Sequence, residues 1–158
     1  ADTVILEGKS AAAPSYKGHY TSSDVNAAVV DEKLFQAELT GAQPQEIFDK
    51  AILATTTYAY SALEPLVDYP AISGAKAFLS TDGGTNRLLA PDGKEIDKNA
   101  VYHVVISQTI LTALTYLQDE NASAFTPCED TLQGVFKTRL ASGSLPKPEQ
   151  YYEVGTAE

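Results

Sequence analysis

Residues 101–117 read Val-Tyr-His-Val-Val-Ile-Ser-Gln-Thr-Ile-Leu-Thr-Ala-Leu-Thr-Tyr-Leu, and the hydrophobic spacing changes part-way along them. From Val101 to Ile106 the run is nearly continuous and rich in β-branched residues, the pattern of a central strand covered on both faces. Beyond it, Ile110, Leu111, Leu114 and Leu117 recur at helical spacing, so Ser107 or Thr109 caps a helix that runs to about Asp119. A strand that passes straight into an amphipathic helix lays that helix back over its own sheet. The stretch therefore predicts an α+β fold with Val101 to Ile106 at the centre of a mixed sheet.

The flanking sequence fills in the neighbours. Val4-Ile5-Leu6 is a short strand leading into the small-residue stretch 7–18, and Ser22 or Ser23 caps a short helix from Asp24 to about Val30. Lys33 to Leu39 alternates, with Phe35, Ala37 and Leu39 on a dry face and Gln36 and Glu38 on a wet one. Thr40-Gly-Ala-Gln43 matches a capping box and Pro44 suits a first turn, so a helix over 41–56 comes next, with Ile47, Phe48, Ala51, Ile52 and Leu53 as its stripe. Ala75 to Ser80 and Arg87 to Ala90 read as strands joined through Gly83 and Gly84, and Pro91-Asp92-Gly93 turns the chain toward Val101. Phe125, Pro127 and Cys128 fall in a loop. A last helix over 131–142 starts near Asp130 or Thr131, buries Leu132, Val135, Phe136 and Leu140, and stops at Gly143; Tyr151 to Val154 then forms an edge strand. The expectation is one domain over residues 1–158, a mixed sheet flanked by helices.

Composition narrows the function classes. With 44% hydrophobic and 20% charged residues, the chain is expected to build a core without metal or disulfide, and its composition is not that of an intrinsically disordered chain. Its net charge of −10 is spread evenly, with 10 acidic and 5 basic residues over 1–79 and 11 and 6 over 80–158, so neither end is a charged tail. Nucleic acid and anionic membranes are poor partners for such a surface. Cys128 is the only cysteine, which rules out an internal disulfide and a zinc site of several thiolates; it reads as a tolerated structural thiol. No apolar run approaches the ~20 residues of a membrane span. The start Ala1-Asp2-Thr3 reads as a trimmed or processed end.

Catalytic signals are sparse. His19 and His103 stand alone, outside any Asp-x-His or His-x-His pair, and no nucleophile elbow, phosphate loop or dinucleotide turn occurs. Asn121-Ala-Ser123 is a glycosylation sequon, meaningful only in a eukaryotic secretory chain. No metal and no cofactor are expected, and a freestanding enzyme is not.

Several motifs occur in the order of a known family. Thr21-Ser-Ser-Asp24-Val25, then Glu38-Leu39-Thr40-Gly41-Ala42-Gln43, then Ile72-Ser73-Gly74-Ala75-Lys76-Ala77-Phe78, then the run from Asp92-Gly93-Lys94 through Asp97 to Tyr102 resemble the C-terminal domain of the 5'-nucleotidase and UDP-sugar hydrolase family. The resemblance implies that domain's fold over nearly the whole chain and a periplasmic or secreted location. It also implies that catalysis belongs to a separate two-metal phosphoesterase domain, and that the C-terminal domain recognises substrate through arginines and two stacking aromatic rings.

At those recognition positions the chain departs from the family. The arginine loop falls on residues 8–15, with Lys9 and alanines in place of Arg; the segment of the first ring falls on Val30-Asp31-Glu32-Lys33, with no aromatic and two carboxylates. The glycine loop of the second ring falls on Ser107 to Leu117, where Ala113, Leu114 and Tyr116 make a helical, apolar pattern, predicting a helix packed where a base would stack. Lys9 and Lys33 remain as candidates to meet an anion, and Tyr116 and Phe125 to offer a ring; the plainer readings are solvated lysines and packed aromatics. Three functions stay open. The first is a non-catalytic extracytoplasmic binding or interaction module derived from a nucleotidase recognition domain, with an unidentified small molecule or protein as partner. The others are the recognition fragment of a larger metal-dependent nucleotidase, and a structural or dimerising module forming a homo-oligomer.

Overall fold

The computed structural model describes residues 3–6, 21–57, 65–66, 70–143 and 152–155. In chain order they form β1 (Thr3–Leu6), α1 (Ser22–Ala28), β2 (Lys33–Thr40), α2 (Gln43–Ala54), β3 (Ala71–Ser73), β4 (Lys76–Ser80), β5 (Arg87–Leu89), β6 (Val101–Ser107), α3 (Gln108–Tyr116), β7 (Thr126–Thr131), α4 (Leu132–Ala141) and β8 (Tyr152–Gly155), with a 3-10 turn at Glu120–Ala124. The expected α+β fold with helices flanking a mixed sheet is present, with a second small sheet beside it. The larger sheet runs β3-β1-β6-β2-β7 and the smaller β5-β4-β8. β6 is central, parallel to β1 and antiparallel to β2, with Glu38 opposite His103 and Gln36 opposite Val105.

Period-two alternation decides what each face buries. Ile5, Ala37, Leu39, Val104 and Ile106 point to one face, where Ile47, Ala51 and Ala54 of α2 and Ile110, Ala113 and Leu114 of α3 close over them. Phe48 and Ile52 of α2 pack instead against Ala77, Leu79 and Leu88 of the smaller sheet and Ile72 of edge strand β3, so α2 is a shared wall between two sheets. On the opposite face Leu6, Leu34 and Val105 meet Val25 of α1 and Leu132, Val135, Phe136 and Leu140 of α4.

The structure corrects several local expectations. Central strand β6 is covered on both faces only toward its carboxyl end: Val105 is packed, whereas Val101 is 52% exposed and His103 is open to solvent. The cap of α1 is Thr21, because a capping box needs a carboxylate three residues on: the Asp24 N–H donates to Thr21 Oγ1 at 3.3 Å, and the Thr21 N–H donates to Asp24 Oδ2 at 2.6 Å. Helix α2 begins at Gln43, since Gly41 takes a left-handed φ of 62° that ends the strand in a turn. Only half of its expected capping box forms, the Thr40 N–H donating to Gln43 Oε1 at 2.8 Å. Helix α3 stops at Tyr116, short of Asp119, because Gln118 is left-handed. Pro127 and Cys128 lie in an edge strand, where a missing N–H and a shift in register are tolerated.

Candidate functional site

In open sheets that contain parallel strands, ligands gather beyond the carboxyl ends of those strands. Here β1 and β6 are the parallel pair of the larger sheet, and β6 ends at the buried Ser107, from which α3 departs at once. A helix N-terminus carries partial positive charge and free N–H donors, which suits it to an oxyanion. In this chain its first turn is already occupied. The Thr109 N–H donates to Glu32 Oε1 at 2.6 Å and the Ile110 N–H to Ser107 Oγ at 3.4 Å. Glu32 is 7% exposed and lies just before β2, and its backbone carbonyl accepts from the Leu132 N–H, the first residue of α4, at 2.9 Å. Nearby, Thr131 Oγ1 caps α4 by accepting from the Gly134 N–H at 3.2 Å, and Gln133 Nε2 donates to the Val29 carbonyl at 2.9 Å. This end of the sheet thus presents a built-in carboxylate, with the exposed Asp31 one residue away.

Of the residues expected from sequence, Lys9 lies outside the described residues. Lys33 is at this end, exposed on the first position of β2 opposite Thr131. Tyr116 is 43% exposed but sits at the far end of α3, roughly 12 Å along the helix axis from its start. Phe125 is 8% exposed and belongs to the core beneath α2 and α3. Of the three that are described, only Lys33 is therefore placed at the carboxyl ends of β1 and β6. Glu32, the residue that shapes this end, was visible in the sequence only as one of two added carboxylates; its partner is 77 residues away, beyond any local pattern.

Two hollows lie elsewhere. One of about 230 Å³ runs between the start of α2 and β5, where Gln45 donates to the Asn86 carbonyl at 3.2 Å and accepts from the Leu88 N–H at 2.6 Å, closing the outer edge of β5 as a neighbouring strand would. The other, about 400 Å³, lies on the open face of the larger sheet, with Glu38 Oε1 3.1 Å from His103 Nε2. Asn121 of the sequon donates to Glu46 Oε2 at 3.0 Å and accepts from Gln43 Nε2 at 2.9 Å, which ties the 3-10 turn to α2. Burial first, and the Asp130 charge second, push the Cys128 thiol above its ordinary pKa. Among the described residues no three His, Cys, Asp or Glu side chains come together as a metal-binding group. Nor is any described helix long and apolar enough to cross a membrane.

No family model and no curated protein matches the sequence. Solved structures do. The 5'-nucleotidase precursor of Thermus thermophilus superposes with a TM-score of 0.68 at 19% identity, over 97% of this chain and 31% of its own. The chain has the fold of a 5'-nucleotidase C-terminal domain. The NAD nucleotidase of Haemophilus influenzae matches with a TM-score of 0.65 at 12% identity, over 98% of this chain and 30% of its own. The sulfate thiohydrolase SoxB of Thermus thermophilus, in complex with glycerol, matches with a TM-score of 0.65 at 17% identity, over 97% of this chain and 28% of its own. The chain thus spans less than a third of the length of each of these proteins.

Proposed function

We propose that this chain is a non-catalytic, extracytoplasmic binding or interaction module, a single domain derived from the substrate-recognition domain of a nucleotidase and no longer built to hold a nucleotide. The observation that carries the reading is the Glu32 carboxylate on the Thr109 N–H at the carboxyl ends of β1 and β6. A phosphate arriving there meets a carboxylate in its place and Asp31 beside it, an unfavourable like-charge encounter. A base arriving there meets α3. Ile110 and Leu114 are fully buried under that helix, each worth about 2 kcal/mol, and one stacking contact returns about 1 kcal/mol.

Isothermal titration calorimetry with adenosine and AMP tests the reading, and no saturable binding is expected. Micromolar binding of either, lost on Tyr116→Ala, would overturn it. Phosphate release from AMP, ATP or UDP-glucose in the presence of Mn, Zn or Co ions should likewise stay at background, and turnover that survives repurification would refute the non-catalytic part. A second reading, the recognition part of a longer metal-dependent nucleotidase, is favoured by the near-complete match of this chain to less than a third of each similar structure. A metal-ligand domain encoded in frame upstream of Ala1 would support it.

A further inference from the structure

We draw no further inference here: the strongest candidate, the hollow on the open face of the larger sheet lined by Gln36, Glu38, His103, Val105 and Thr126, has its carboxylate and imidazole paired with each other on an exposed surface, and nothing in the structure shows what covers it.

Discussion

Glu32 Oε1 accepts from the Thr109 N–H at 2.6 Å while the Glu32 carbonyl accepts from the Leu132 N–H at 2.9 Å, so one residue joins the start of β2 to the first turns of α3 and α4. Both bonds meet donors that have no partner inside their own helices, because the first N–H groups of a helix point away from it. A carboxylate also opposes the positive end of the α3 dipole. The contact that occupies the first turn of α3 and the one that meets α4 therefore hold three elements in place together.

Glu32→Ala should accordingly destabilise the protein by roughly 2 kcal/mol, the loss of a buried hydrogen bond to a charged acceptor together with a helix cap. Glu32→Gln keeps an acceptor oxygen and should lose about half as much. Urea unfolding monitored by circular dichroism reads both variants. Equal stability of Glu32→Ala and the parent chain would show that the Thr109 contact contributes nothing.

Asn121 gives a second test. Its side-chain amide is committed in both directions, donating to Glu46 and accepting from Gln43, so a glycan on Nδ2 would crowd the link between the 3-10 turn and α2. Asn121→Ala should cost about 1 kcal/mol in urea unfolding. Expressed in a eukaryotic secretory host, any chain that carries a glycan at this sequon should unfold at lower urea than the unglycosylated chain. Stoichiometric glycosylation with undiminished stability would contradict this.

Wherever a local period and a cap agreed, the fold was legible in the sequence. The strand from Val101 passing through Ser107 into α3, and the Thr131 start of α4, are such cases: each element's buried face and its capping hydroxyl lie within a few residues. What escaped depended on partners distant in sequence. Strand β7 has exposed and half-buried positions in no alternating order and holds Pro127, so only its pairing with β2 makes it a strand. Ile47 and Phe48, neighbours on α2, enter two different core clusters, one under each sheet, which a single hydrophobic stripe does not reveal. In the sequence, the segments matched to the family's recognition loops stand out only by what they lack, the arginine and the ring. That Glu32 turns inward to α3, while the adjacent Asp31 and Lys33 remain exposed, is a tertiary choice.

The capping box of α1 predicts a pH dependence. The backbone N–H of Thr21 first, and its side chain second, hold the Asp24 carboxyl below its ordinary 3.8. A carboxylate whose pKa is depressed by folding stabilises the native state above its unfolded value, and this contribution disappears as the pH falls through the folded value. Asp24→Asn should therefore lower stability at neutral pH, and its difference from the parent should vanish in strong acid, well below 3.8. Unfolding midpoints across that range decide it; a difference that persists undiminished in acid would mean that the charge plays no part.

Cys128 tests the opposite sign. Its side chain packs against the cluster that holds Leu34 and Leu132, and both burial and the nearby Asp130 charge disfavour the thiolate, raising the thiol above its ordinary 9.0. The thiolate is the reactive species, so at about pH 8 Cys128 should react with Ellman's reagent several-fold more slowly than free cysteine. Asp130→Asn removes the lesser cause and should speed the reaction modestly, with a larger gain at low ionic strength because an exposed charge is screened by salt. Denaturant should abolish the difference between chain and free thiol, since burial is the greater cause. A rate in the native protein equal to or above that of free cysteine would show that this edge opens readily; an Asp130→Asn rate indistinguishable from the parent at every salt concentration would leave burial as the sole cause.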